Sequence, residues 1–354
     1  MAVTAIVGAG VMGSAVAFPL SDNGHEVRLV GTHLDTNIIA SVQATGFHPA
    51  LKRYMPEGVT AFQIDRIDEA LDDVDLIVSG VNSAGVAWQG KTLGATLRQP
   101  KPVVAITKGL DVSESGELVT LNDVLERGIV AAGGPRCEVS GIGGPCIAGE
   151  LAGRRPSCVL VGSLSVERAR WIAEILRTDY YVIRPTVHRF ALEIGVALKN
   201  AYTLGVGIAS GMLERLGGTD EAGAHTHNLE AAVFAQGTSE IRHVLKVHGE
   251  LDRFAAGLPG AGDYFVTVVG GRNIRFARML GAGASVPEAL KAMKGITLEG
   301  LSIVRSMASA LPMLKERGLI ANGDLPLLEY LIATMESGRK AEQFPLTQFF
   351  PDLE

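Results

Sequence analysis

"TAIVGAGVMGSAVAFPL", Thr4–Leu20, is the stretch on which the fold turns. Thr4–Val7 is a short apolar run suited to a buried strand, and it ends on glycine. Gly8, Gly10 and Gly13 follow at the GxGxxG spacing, and the apolar pattern resumes at Ser14 with helical length. Strand, glycine turn and helix in that order form a dinucleotide-binding fingerprint. The first glycine permits the tight turn, the second lets backbone approach a pyrophosphate, and the third lets helix and strand pack closely. A helix opening there offers unpaired N–H groups and a positive dipole end to phosphate. Gly8, Gly10, Val11, Met12 and Gly13 are therefore the expected cofactor contacts. The alternative is an ordinary glycine-rich turn, which would need neither the strand before it nor the helix after it.

The same texture continues outward. "EVRLVG" (Glu26–Gly31), "DLIVSGV" (Asp75–Val81), "VVAIT" (Val103–Thr107) and "SCVLVG" (Ser157–Gly162) read as near-continuous apolar strands with helical patterns between several of them. Such alternation predicts an α/β Rossmann-like domain, a mostly parallel sheet with helices on both faces. The texture changes near "RPTVHR" (Arg184–Arg189). Beyond it strand-like runs nearly vanish, and Arg189–Gly211 reads as a long helix, apolar around most of its circumference. "SVPEALKAM" (Ser285–Met293) opens with Ser285 as N-cap and Glu288 at the capping-box spacing. The expected organisation is a dinucleotide-binding domain over residues 1–185 and an all-α substrate and catalytic domain over residues 186–354.

The chain has 354 residues, three cysteines and a net charge of −6. That length fits two domains of about 100–200 residues each. The charge argues against a nucleic-acid partner, which calls for a basic surface. Three cysteines without a CxxC pair point to a reducing cytoplasm rather than a disulfide framework. No basic leader precedes the first strand, and no uncharged apolar run reaches the ~18 residues of a membrane span. His225 and His227 in "HTHN" are only half of a metal site, so no metal is expected.

At the end of the second strand, "RLVGTHLD", an acid would favour NAD through the ribose hydroxyls, and an arginine would favour the extra phosphate of NADP. Neither stands within Gly31–Leu34. Thr32 and His33 are the candidate contacts, and Asp35 comes late unless the loop folds it back. Use of both NAD and NADP follows, with a preference of no more than about tenfold. Lys199, in "EIGVALKNAY", is a cation inside an apolar helix. Burial would favour its neutral form and suit it to proton transfer. The alternative is a flexible stem that carries the amine out to water.

Five ordered blocks resemble the NAD(P)-dependent glycerol-3-phosphate dehydrogenases over nearly the whole chain. They are "GAGVMG", "ITKGL" (Ile106–Leu110), "GGPCIAGELA" (Gly143–Ala152), "EIGVALKNAY" (Glu193–Tyr202), and the glycine-rich "AGDYFVT" with "GGRN" (to Asn273). The resemblance implies that Lys199 is the proton donor and acceptor, that Asp263 holds it, and that Lys108 reaches substrate and cofactor. It implies a substrate site lined by Gly144, Cys146, Asn200, Thr267, Gly271, Arg272 and Asn273, the last two at the phosphate end. Ala148, Arg272 and Glu299 would approach the cofactor. Read without the resemblance, Asp263 is a turn residue or helix cap, and Arg272 a solvated surface arginine.

The implied reaction interconverts sn-glycerol 3-phosphate and dihydroxyacetone phosphate by hydride transfer with NAD or NADP. The implied partner is a small phosphorylated substrate, and a homodimer is an open option. Cys146 stands where the family often has serine or threonine, Gly149 where it has a basic residue, and Gln236 where arginine is common. These departures leave open the same chemistry on another small phosphorylated ketose or polyol. A non-catalytic dinucleotide sensor is a further alternative, against which the presence of Lys199, Asp263, Arg272 and Asn273 counts.

Overall fold

A computed structural model describes residues 1–337, 340–341 and 344–350. Its strands, in chain order, are β1 (Val3–Val7), β2 (Glu26–Val30), β3 (Phe47–His48), β4 (Arg53–Tyr54), β5 (Val59–Phe62), β6 (Leu76–Ser79), β7 (Val103–Ala105), β8 (Leu110–Val112), β9 (Leu118–Thr120), β10 (Val139–Gly143), β11 (Ser157–Gly162) and β12 (Tyr181–Thr186). The chain divides into two compact units. One holds Met1–Lys108 and Thr120–Glu193, the other Gly109–Val119 and Ile194–Glu354.

The first unit is built on an eight-stranded sheet in the order β12-β11-β10-β7-β6-β1-β2-β5. All pairs are parallel except β10 with β11. The chain runs outward from β1 through β2 to β5, then returns to the other side of β1 as β6. That reversal is the switch point at which open α/β sheets bind ligands. Residues alternate between the sheet's two faces, as the period of two requires. Ile6, Leu29, Val78 and Val104 enter one buried cluster, and Ala5, Val7, Ile77 and Val103 enter the other.

Glycine decides how closely the loop after β1 can pack. Gly8 has φ +114°, a left-handed-side conformation that disfavours other residues. A Cβ on Gly13 would lie 2.3 Å from the Gly8 carbonyl oxygen, and one on Gly80, just past β6, would lie 2.8 Å from it.

The second unit is mostly helical, with helices His227–Val247, Asp263–Val269, Arg272–Gly281, Val286–Ala292, Glu299–Glu316 and Pro326–Ser337. The long helix Arg189–Arg215 supplies it from Ile194 onward. The β8–β9 hairpin belongs to this unit, where Ser306 Oγ donates to the Leu110 carbonyl at 3.1 Å. Ser285 and Glu288 form the capping box expected of them. Arg189–Arg215 and Arg272–Gly281 touch backbone to backbone: a Cβ on Gly211 would lie 2.1 Å from the Arg278 carbonyl oxygen, and one on Gly281 2.1 Å from that of Ile208. Helix Pro326–Ser337 begins on the buried Glu240, whose carboxyl accepts the N–H groups of Leu327 and Leu328. Among the described residues no helix is long and apolar enough to cross a membrane.

Candidate active site

In the first unit the glycine loop is pinned along its length. Gly8 N–H donates to the Val30 carbonyl at 2.8 Å, and Ser14 N–H to that of Gly10 at 2.9 Å. Between them, Ala9 N–H donates to Asp35 Oδ2 at 3.2 Å, and the Ala9 carbonyl lies 2.9 Å from His48 Nε2. The helix Val11–Asp22 has no side-chain cap. Its first N–H groups, on Val11, Met12 and Gly13, therefore lack both an intrahelical acceptor and a capping side chain. That is the donor set a dinucleotide pyrophosphate requires, so the loop fits such a cofactor.

At the end of β2 the chain does fold Asp35 back. Its Oδ2 accepts from Thr32 N–H at 2.9 Å and Thr32 Oγ1 at 2.7 Å, besides Ala9. His33 is exposed, with its ring edge against Trp88 at 5.3 Å. Lys108 is half-buried, its Nζ 3.5 Å from the Gly144 carbonyl. Cys146 is half-buried beside the buried Tyr181 phenol. Ala148 opens the short helix Ala148–Ala152, in which a Cβ on Gly149 would meet nothing within 4 Å.

In the second unit the opening of the segment after Gly257 is a turn of π-helix, Leu258–Gly262, which runs directly into helix Asp263–Val269. Pro259 seats against Gly195, where a Cβ would lie 3.3 Å away. One helical turn beyond Gly195, on the same face, stands Lys199. Lys199 and Asp263 form a buried ion pair, Nζ to Oδ1 3.1 Å. Lys199 also donates to Thr267 Oγ1 at 2.5 Å, and Thr267 in turn donates to the Asp263 carbonyl at 2.6 Å. Burial alone disfavours an ammonium, and the carboxylate beside it acts the other way.

Arg272 opens helix Arg272–Gly281 after Gly271, which has φ +113°. The Arg272 guanidinium pairs with Glu299, the first residue of helix Glu299–Glu316. Asn273 is buried and committed to its neighbours. It accepts the Gly300 N–H at 3.1 Å and approaches Asn200 Oδ1 at 3.4 Å. Lys199, Asp263 and Thr267 thus stand together, as do Asn200, Arg272, Asn273 and Glu299.

Several buried polar groups escaped the sequence reading. His48 gives no periodic signal, and its contact with Ala9 spans 39 residues. Glu193 accepts from Asn122 Nδ2 at 2.9 Å and lies 3.4 Å from Arg189, which also pairs with Asp123 and Glu126. Burial pushes the Glu193 carboxyl up to about 8, with Arg189 opposing. Burial likewise pushes Glu240 up to about 7, against its hydrogen bonds from Gln236, Leu327 and Leu328. Gln236, at the position where arginine is common, is Glu240's neighbour at 2.8 Å. The His225 and His227 rings stack at 4.8 Å in an exposed segment.

Comparison with known proteins agrees with this architecture. The N-terminal profile of the NAD-dependent glycerol-3-phosphate dehydrogenases matches residues 3–169, and the C-terminal profile matches residues 189–345. The chain is 30% identical over 349 residues to an NADP(+)-dependent glycerol-3-phosphate dehydrogenase of Archaeoglobus fulgidus, covering 98% of this chain and 99% of that one. It is 30% identical over 344 residues to a glycerol-3-phosphate dehydrogenase, NAD(P)+, of Geobacillus kaustophilus, covering 96% and 92%. In fold it is similar to the crystal structure of glycerol-3-phosphate dehydrogenase from Coxiella burnetii, with a TM-score of 0.77, 22% identity and 96% of each chain covered. The chain belongs to the NAD-dependent glycerol-3-phosphate dehydrogenase family.

Proposed function

We propose that the chain interconverts sn-glycerol 3-phosphate and dihydroxyacetone phosphate with NAD or NADP. The observation that carries this reading is the buried pair of Lys199 and Asp263, with the half-buried Thr267 hydroxyl on the same amine. An ammonium held by a carboxylate and a hydroxyl is a positioned acid, and the amine left after proton donation is a positioned base. In the reducing direction Lys199 gives a proton to the carbonyl oxygen of dihydroxyacetone phosphate. In the oxidising direction neutral Lys199 takes the proton of the secondary hydroxyl. When bound, the nicotinamide supplies or accepts the hydride at that carbon.

Asp263 keeps Lys199 in place, and Thr267 and Asn200 border the substrate. Lys108 polarises the reacting oxygen. Arg272 offers the phosphate a planar fork, beside the free N–H groups that open its helix. Asn273 serves there through its backbone, since its side chain is committed to Gly300 and Asn200. Gly144, Cys146 and Gly271 line the substrate with main chain. Val11, Met12 and Gly13 donate to the pyrophosphate, Gly8 and Gly10 let it approach, Thr32 and His33 meet the adenosine end, and Ala148 and Glu299 border the cofactor. Residues 1–185 supply the dinucleotide domain and residues 186–354 the substrate domain, save that the compact units assign Gly109–Val119 to the second and extend the first to Glu193. The three free thiols support a reducing cytoplasmic setting, and light scattering decides between monomer and homodimer.

The test is nicotinamide absorbance in the presence of dihydroxyacetone phosphate. Oxidation of NADH or NADPH is expected, and no turnover with either overturns the reading. A second reading, the same chemistry on another small ketose phosphate, draws on the open space at Gly149. A panel of ketose phosphates separates the two.

A further inference from the structure

The loop after β1 is gripped by a histidine outside the glycine motif. His48 is fully buried on β3, and its Nε2 lies 2.9 Å from the Ala9 carbonyl oxygen. Its Nδ1 accepts the Leu51 N–H at 3.0 Å. A ring nitrogen that accepts carries no proton, so Nε2 carries it and donates to Ala9. The imidazole therefore joins the β3–β4 turn to the loop, while Asp35 holds the N–H of the same residue, Ala9, at 3.2 Å.

Gly10 carries no side chain, and a Cβ there would meet its nearest atom only at 4.0 Å, so the Ala9–Gly10 peptide meets little steric resistance to rotation. Rotating the Ala9–Gly10 peptide would exchange the Gly10 N–H for the Ala9 carbonyl oxygen. An acceptor would then stand where the entry to the helix Val11–Asp22 offers donors, and it would repel phosphate. We propose that His48 is a positioning residue for dinucleotide binding, its Nε2–H holding the Ala9 carbonyl so that this peptide keeps its donor side toward the cofactor. The proposal rests on the reading of the Gly8–Gly13 loop as the dinucleotide cradle.

Two substitutions separate this role from a purely structural one. In His48→Gln the side-chain amide reaches the position of Nε2 and can still donate to Ala9, but the acceptor for Leu51 is lost. In His48→Asn the amide oxygen takes the position of Nδ1 and still accepts from Leu51, but nothing reaches Ala9. Dissociation constants for NADH and NADPH are measured by fluorescence titration of the full chain, with melting temperatures alongside. The expected result is binding within about twofold of wild type for the glutamine variant and weakened about three- to tenfold for the asparagine variant, the worth of one net hydrogen bond. Both dinucleotides should be affected alike. Equal binding by the two variants, or weaker binding by the glutamine variant, overturns the proposal. Should the asparagine variant not fold, the glutamine variant decides: binding within twofold of wild type supports the assignment, and weaker binding overturns it. A wild-type chain that binds neither dinucleotide overturns the cradle itself, a result distinct from equal binding by all three proteins.

Discussion

Lys199 and Asp263 face each other at 3.1 Å with side chains only 5% and 3% exposed. Replacing Lys199 by alanine is expected to lower kcat by a factor on the order of 100–10,000, the range of a positioned acid–base group, and to leave cofactor binding nearly intact. A kcat near wild type would remove Lys199 from the chemistry. Replacing Asp263 by alanine strands a buried ammonium and should cost about 3–5 kcal/mol in denaturant unfolding. The double variant Lys199→Met with Asp263→Ala should lose less than the two single losses combined, because the stranded charge is gone.

Arg272 is held by Glu299 but keeps 47% of its side-chain surface exposed, so its guanidinium is within reach of a ligand. Arg272→Ala should weaken use of dihydroxyacetone phosphate by about 2–4 kcal/mol more than use of unphosphorylated dihydroxyacetone, the loss of a charge-assisted contact. The comparison is of kcat/KM on the two substrates. An equal loss on both would show that the arginine serves the cofactor instead.

Asp35 Oδ2 already accepts three hydrogen bonds, from Thr32 N, Thr32 Oγ1 and Ala9 N. A carboxylate oxygen used in this way shapes the loop more than it selects a ribose substituent. Asp35→Ala should therefore raise the KM of NADH and NADPH together, with their ratio changed by less than about threefold. A selective gain for NADPH would reveal direct repulsion of its extra phosphate by this acid.

Glu193 and Glu240 hold their protons more tightly in the folded chain, at about 8 and about 7, than at the ordinary value of 4.5. Their contribution to stability is thus fully present below that ordinary value and is lost as pH rises through 7 and 8. Each group gives a slope of at most about 1.4 kcal/mol per pH unit within its window. The melting temperature should fall from pH 5 to pH 8. Glu240→Gln should make the fall below pH 7 shallower and leave the rest, and Glu193→Gln should do the same below pH 7 and also remove the part that extends to pH 8. A flat profile in the wild-type chain would show that both carboxyls are already ionised.

Two glycines should respond in opposite ways to the same substitution. Gly149→Ala meets open space within a helix and should stabilise by about 0.5–1 kcal/mol. Gly13→Ala drives a methyl group to 2.3 Å from the Gly8 carbonyl and should cost about 1–3 kcal/mol, with loss of dinucleotide binding in the same titration.

Local signals carried far in this chain. The strands β1, β2, β6, β7 and β11 were readable from apolar runs, and the helix after Ser285 from its capping box. β5, β10 and β12 were not. β5 and β12 are the sheet's edges, and β12 carries Pro185, which an edge strand tolerates. β10 has Gly141 where a Cβ would lie 2.9 Å from Asn122 Nδ2, so packing rather than strand propensity chose its residues. Lys199 stood out because a cation interrupts an apolar helix. His48 and Glu193 did not, because each acquires its meaning from a partner distant in sequence, and Asp35 was legible only as a late acid that a loop could fold back. The side-chain commitment of Asn273 to Gly300 and Asn200 was equally invisible, since no local pattern marks a residue that ties three helices together.

The crossing of Arg189–Arg215 with Arg272–Gly281 bears on how this enzyme could be retooled. Gly211 and Gly281 put main chain against main chain, with no room for even a methyl group. The span from the Lys199 amine to the Arg272 helix end is therefore set by a rigid joint, like the fixed jaw of a caliper. Enlarging side chains at the joint cannot lengthen that span without breaking it. Variants selected for longer or shorter substrates should therefore accumulate changes around Asp263–Val269 and Glu299, and leave Gly211 and Gly281 untouched.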